Sequence, residues 1–155
     1  NKPSQGSDSS EPIGVSQGTV SLAETLGDKE HLQVSYQGFD VTRVYTVGSF
    51  FSLNAGEGNA FVVMKFQIAN TGTEAVKLTG YENSISFYGI FDGKSKTPEK
   101  QTFITNSLSA FEGTIEAGEK AEAVLIFETG QEKADQLQEP KLQVKMNEKI
   151  YSVTL

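Results

Sequence analysis

The stretch NAFVVMKFQIANTG, residues 59–72, decides how this chain is read. Val62, Met64, Phe66 and Ile68 fall on alternate positions, with Lys65 and Gln67 between them. Successive side chains of a strand point to opposite faces, so the pattern predicts a strand with one apolar face and one wet face. Asn70-Thr71-Gly72 then reads as a turn, because Asn and Gly tolerate the backbone conformations that end a strand.

The same period of two recurs on both sides of this stretch. Leu32, Val34 and Tyr36 alternate with polar residues, and Gly38 breaks the run before apolar residues resume from Val41 to Val47. SISFYGIFD (84–92) places Ile85, Phe87, Gly89 and Phe91 together and ends at Asp92-Gly93, a strong turn signal. TFITNSLSAF (102–111) reads as a further strand, and AEAVLIFE (121–128) sets Ala123, Leu125 and Phe127 on one side. At the end, Leu142, Val144 and Met146 alternate, as do Tyr151, Val153 and Leu155, with a hairpin turn at Asn147-Glu148-Lys149. Only QEKADQLQE (131–139) has a helical pattern, which Pro140 ends after little more than two turns. Seven or eight short, half-buried, mostly antiparallel strands predict an all-β sandwich.

Composition narrows the function classes. The chain has 155 residues, 37% hydrophobic and 21% charged, enough for one globular domain with a little left over. Its formal net charge of -7 opposes binding to nucleic acid and to anionic lipid. Cys is absent, which excludes thiol chemistry, and no apolar run approaches the ~20 residues that span a bilayer. With no initiator Met and no signal-like apolar segment at its start, the chain is expected to be a mature or trimmed form.

Residues 1–18 are rich in Ser, Gly, Pro and Gln, with Ile13 and Val15 the only sizeable apolar side chains. Such a composition does not bury enough to order itself. Residues 1–30 are therefore expected to form a flexible tether reaching about 30 Å, with the sandwich over residues 31–155.

The residue types that carry chemistry are sparse. His31 is alone and lacks the partner imidazole or thiolate ligands of a zinc or copper site; it reads as a surface residue. No G-x-S-x-G elbow accompanies any serine. Glu112, Glu116, Glu119 and Glu122 cluster around a Gly-containing turn, read as a solvated face whose spacing matches no calcium loop. Gly56-Glu57-Gly58 precedes a strand, so it lacks the helix N-terminus of a phosphate cradle. No catalytic residue, metal ligand or cofactor is expected. The candidates for ligand contact are Phe50 and Phe51, adjacent in the long connection YTVGSFFSLNAGEG (45–58). Neighbours in a strand cannot both enter one core, and an exposed loop aromatic is a common anchor.

The order of these motifs resembles a known family. GEGNAFVVMKFQIANTGTEAVKL, then FYGIFDGKSKTP, then IEAGEKAEAVLIFE and a closing hairpin over Leu142–Leu155 are similar to a domain-of-unknown-function family of Gram-positive surface lipoproteins of the Bacillus YjhA type. The family looks related in fold to the mycobacterial immunoprotective extracellular antigen. The resemblance covers roughly residues 31–155. It implies an immunoglobulin-like β-sandwich, a signal peptide and a lipidated Cys upstream of Asn1, and attachment at the extracellular face of the cell membrane. It carries over no catalytic residues.

The expected function is that of a non-enzymatic binding or interaction module on a membrane-anchored lipoprotein, its partner an unknown protein or small ligand at the cell surface. Two alternatives come from other classes. A carboxylate-dependent hydrolase would use Glu112, Glu116 and Glu119 and needs two carboxyls converging in a cleft. A metal carrier would need soft ligands, yet Met64 and Met146 lie on expected core faces.

Overall fold

The computed structural model describes residues 10–27, 30–47, 51–79, 85–100 and 106–155. Among these residues the strands are, in chain order, β1 (Glu11–Pro12), β2 (Thr19–Ser21), β3 (Leu32–Thr42), β4 (Val44–Val47), β5 (Phe51–Asn54), β6 (Asn59–Asn70), β7 (Val76–Thr79), β8 (Ile85–Ile90), β9 (Ser95–Pro98), β10 (Glu112–Ile115), β11 (Lys120–Gly130), β12 (Lys141–Met146) and β13 (Lys149–Thr154). Two short helices, α1 (Leu22–Thr25) and α2 (Gln131–Asp135), and a 3-10 turn at Leu108–Ala110 complete the described elements.

Two sheets form the layers of a β-sandwich, one six-stranded in the order β1-β9-β8-β12-β13-β2 and one three-stranded in the order β11-β6-β3. The expected all-β sandwich is the observed fold, and the strands beyond seven or eight are two to four residues long. The opening stretch is the centre strand of its sheet, paired along its length with β3 and β11. Ala60, Val62, Met64, Phe66 and Ile68 face the other sheet and are all 0% exposed. They meet Leu125 and Phe127 from β11 and Phe87, Leu142 and Val144 from the opposite layer. Each such buried side chain stabilises the fold by roughly 1.5–3 kcal/mol.

The expected wet face of β6 is wet over only half its length. Phe61 and Val63, on the outer side, are buried together with Val124 and Ile126. The covering element is the β4–β5 hairpin, which lays Tyr45, Leu53 and Ala55 over them. The segment expected as one long connection is thus a two-stranded lid on the outer face of the sheet.

Gly38 does not break the first long strand. β3 runs unbroken through it, with a register shift between Tyr36 and Gly38 against β6. Gly38 takes φ +108, a conformation that L side chains rarely adopt. This bulge changes the phase of alternation, so Leu32, Val34 and Tyr36 before it and Phe39 and Val41 after it all pack against the core. Gly38→Ala meets no steric obstacle, but it should cost about 1–3 kcal/mol through backbone strain. The measurement is a lowered urea midpoint at unchanged slope.

Two elements depart from the sequence pattern. The helix expected over 131–139 stops after Asp135, where Gln136 caps it. Leu137 then turns into the core, so tertiary packing ends the helix before Pro140 does. Within TFITNSLSAF, residues 102–105 lie outside the described set, while Ser107 forms a single bridge to Val124 and Leu108–Ala110 is a 3-10 turn. Leu108 and Phe111 are buried, so in the described part of this stretch apolar side chains turn inward from a 3-10 turn where a strand was expected.

The tether expectation also needs correction, because residues 10–27 are folded onto the sandwich; residues 1–9 lie outside the described set. β1 pairs with β9 at one edge of the six-stranded sheet, and β2 pairs in parallel with β13 at the other. The chain between them crosses the outer face as a belt. Gln143 Nε2 donates to the Gly14 carbonyl at 3.1 Å, and Gln17 N–H donates to the Ile150 carbonyl at 2.7 Å. α1 then seats Leu22 and Leu26 in the core. Its start is a capping box in which Ser21 Oγ accepts from Glu24 N–H at 3.2 Å and Glu24 Oε1 accepts from Ser21 N–H at 2.7 Å.

Candidate functional site

The β4–β5 hairpin that covers Phe61 and Val63 also carries the described half of the expected aromatic pair. Phe51 sits opposite Val47, at the free end of the hairpin. Phe51 lies on the same face as Leu53, which packs onto the sheet, yet it is 42% exposed. Phe50 lies outside the described residues. Where the lid stops, a cleft of about 460 Å³ opens on the outer face of the three-stranded sheet. Tyr45 forms its wall, Val63 and Val124 line it from below, and Asp40 and Lys65 stand at its margin. Burial raises the Tyr45 hydroxyl above the usual phenol range. Lys65 Nζ lies 3.1 Å from Asp40 Oδ2, in a pair whose members remain 42% and 66% exposed.

At the other end of the hairpin, a carboxylate fixes the chain as it returns to β6. Glu128 Oε2 accepts from the Gly56 N–H at 2.7 Å and from Asn59 Nδ2 at 2.9 Å, while its Oε1 lies 3.1 Å from Lys100 Nζ. Burial alone would raise the Glu128 carboxyl, but these donors outweigh it and hold it below its ordinary value. The Gly56 N–H of Gly56-Glu57-Gly58 is therefore engaged by an internal carboxylate.

A second cleft, of about 490 Å³, lies between Tyr36 of the three-stranded sheet and Leu142 and Val153 of the six-stranded sheet, with Glu139 and Pro140 at its mouth. Burial and the nearby Glu139 charge both raise the Tyr36 hydroxyl.

The other sequence candidates are spread over the surface. Glu112 lies on β10, Glu122 on β11, and Glu116 and Glu119 in the turn between them; all four are exposed. His31 is exposed, and its carbonyl accepts from the Thr71 N–H at 2.8 Å and hydroxyl at 3.1 Å. Met64 is in the core and Met146 packs against it. Among the described residues no three or more His, Asp or Glu side chains are grouped so as to hold a metal ion. None of their helices is long and apolar enough to cross a membrane.

Sequence reading missed Glu99. Its Oε2 accepts from the Ser107 hydroxyl at 2.7 Å, and the Ser109 hydroxyl lies 3.0 Å from that of Ser107. Burial raises the Glu99 carboxyl above its ordinary 4.5, and the Ser109 and Ser107 hydroxyls only partly offset this. The folded chain therefore holds this proton to higher pH than the unfolded chain does. Stability from this group is greatest below pH 4.5 and falls as pH rises through the raised value. Asp92 and Glu128, held low, act in the opposite sense and below their ordinary values. Glu99→Gln should flatten the decline of urea midpoint with rising pH above ~4.5. No local pattern marks such a group, because Ser107 and Ser109 come to it from eight and ten residues further along the chain.

The fold and its open clefts define a β-sandwich domain with aromatic and polar groups along its surfaces. The chain belongs to the domain of unknown function DUF4352, whose family model matches residues 28–152. No curated protein matches it. Among solved structures, an uncharacterized β-sandwich protein from Clostridium difficile 630 is 11% identical with a TM-score of 0.54, over 92% of this chain and 98% of that one. YjhA from Bacillus subtilis is 15% identical with a TM-score of 0.43, over 81% of this chain and 92% of that one. YcdA from the same organism, a candidate lipoprotein, is 10% identical with a TM-score of 0.42, over 96% of this chain but only 38% of its own length. The first of these likenesses shows a shared fold, which does not define an activity.

Proposed function

We propose that this chain is a non-enzymatic binding module displayed on the extracellular face of the cell membrane by an N-terminal lipid, and that the free end of the β4–β5 hairpin is its contact with a protein partner. The observation that carries this reading is Phe51, a large apolar side chain 42% exposed at the end of a hairpin whose other described aromatic, Tyr45, is packed down. An aromatic left partly exposed at the end of a supported hairpin gives a partner contact area without a large ordering cost. The acidic, Cys-free composition suits a cell-surface domain and opposes nucleic acid as a partner. The family resemblance motivates the lipid.

Two experiments test the two halves. Expression behind a leader whose lipidated Cys is replaced should release the protein into the medium, and retention at the membrane would overturn the anchor. Capture from envelope extracts should fall sharply for Phe51→Ala, and equal capture by wild type and variant would rule out the hairpin contact.

A further inference from the structure

We infer that the free edge of β3 is a self-association surface, through which two copies of this chain join their three-stranded sheets into one continuous sheet. The surface is separate from the contact proposed at Phe51 and does not depend on it. β3 is an end strand of its sheet and, among the described residues, pairs only with β6. The other end strand, β11, is covered along its edge. Its Ile126 carbonyl accepts from the Lys100 N–H at 2.8 Å, and its Val124 N–H donates to the Asn106 carbonyl at 3.0 Å. The six-stranded sheet ends in β1 and β2, which are two and three residues long. β3 has 11 residues, and the N–H and C=O groups along an open strand edge are a template for another strand. The backbone of a second strand matches them in direction and spacing, so the geometry selects a strand as the occupant.

The sequence does little to protect this edge. Charged side chains and proline are the usual means, and LQVSYQGF (32–39) contains neither. The bulge at Gly38 is the one blunting device, and it ends regular pairing there. Val34 and Tyr36 pack against the core yet stay half-buried, whereas the inward row of β6 is fully buried. The difference arises because no strand lies beyond β3 among the described residues. Beside Tyr36 the space between the layers stays open as the cleft of about 490 Å³.

A second copy is the occupant because the edge is complementary to itself. Antiparallel strands related by a two-fold axis normal to the sheet keep inward residues opposite inward ones. Centred on Val34, this pairing sets Val34 against its own copy, Leu32 against Tyr36 and Gln33 against Ser35. Each Leu32–Tyr36 match, aliphatic against aromatic, is a favourable cross-strand pair and forms twice. No charges meet, and the ladder stops before the Gly38 bulge and before Asp40, the first charged residue of β3. The paired stretch is short beside the ~20–30 residues a side of a standard interface, so the dimer is weak and concentration-dependent.

Sedimentation velocity of the full chain from micromolar to millimolar concentration tests this. A reversible monomer–dimer equilibrium is expected, with dilution-dependent amide shifts of the ¹⁵N-labelled chain centred on Leu32–Gln37. Two double variants at the exposed positions 33 and 35 read the register. Gln33→Lys, Ser35→Lys sets like charges opposite each other twice and should weaken the dimer by about tenfold. Gln33→Glu, Ser35→Lys sets opposite charges there twice and should strengthen it several-fold. Both carry the same lysine at 35, so an effect of that residue on folding does not separate them. A chain that stays monomeric at millimolar concentration, shifts centred away from β3, or equal affinity in the two variants would overturn the inference.

Discussion

Asn70→Asp, a change of a single group with no change of shape, is expected to destabilise the domain by about 3–5 kcal/mol. Asn70 closes the opening stretch and is 1% exposed. Its Nδ2 donates to the carbonyls of Glu74 and Ile115, both at 2.8 Å, and its Oδ1 accepts from the Gly72 N–H at 2.9 Å. Its backbone adds bonds to Glu119 and Gly118. One side chain thus ties the end of β6, the turn after it and the approach to β11. A carboxylate keeps the acceptor but loses both donors, leaving two carbonyl oxygens facing a buried negative charge. The desolvated acid should titrate high, so the variant should be most stable at low pH and lose stability as pH rises through that raised value. Urea unfolding from pH 4 to 8 checks this, and a flat profile with a loss below ~1 kcal/mol would refute the role given to Asn70.

Phe127→Ala should cost about 3–5 kcal/mol, in the range for a fully buried aromatic. Phe127 is 0% exposed, pairs with Val62 and meets Phe91 edge-on at 5.4 Å between ring centroids. Sheets on both sides hold the surrounding atoms, so the space left by the ring cannot close. Phe61→Ala removes an equally buried ring from the outer cluster, but the β4–β5 hairpin above it can settle into the space. The loss there should be smaller, and urea midpoints of the two variants give the comparison directly.

The division of labour within the opening stretch shows how much of the fold was legible. The inward row of Val62, Met64, Phe66 and Ile68 was readable because strand alternation is a local property of the backbone. The turn at Asn70-Thr71-Gly72 was readable for the same reason, although one of the three side-chain hydrogen bonds that make Asn70 structural, that to the Ile115 carbonyl, joins it to a remote residue. Gly38 was visible as an irregularity, and its meaning as a bulge needed the partner strand, because a register shift is defined only between two chains of residues. The capping box in SLAE (21–24) is a local signal that the sequence reading passed over. Of the candidate site, the aromatic pair at 50–51 drew notice as a sequence anomaly. Tyr45, Asp40 and Lys65 did not, since they sit in ordinary strand patterns on three different strands.

By itself, then, the sequence determined the class of fold, the inward faces of the long strands, the acidic surface and the absence of thiol chemistry. These depend on composition and on a period of two residues, both of which act over short distances along the chain. Only the tertiary structure decided which outward faces stay wet. The hairpin buries Phe61 and Val63, and the belt of residues 10–21 lies over Gln143 and Lys96, which are 4% and 5% exposed. Such covering depends on segments distant in the chain meeting a face that alternation marks only as the outer one. The cleft beside Tyr45 exists because the lid ends where it does, and lid and floor meet only when the chain is folded.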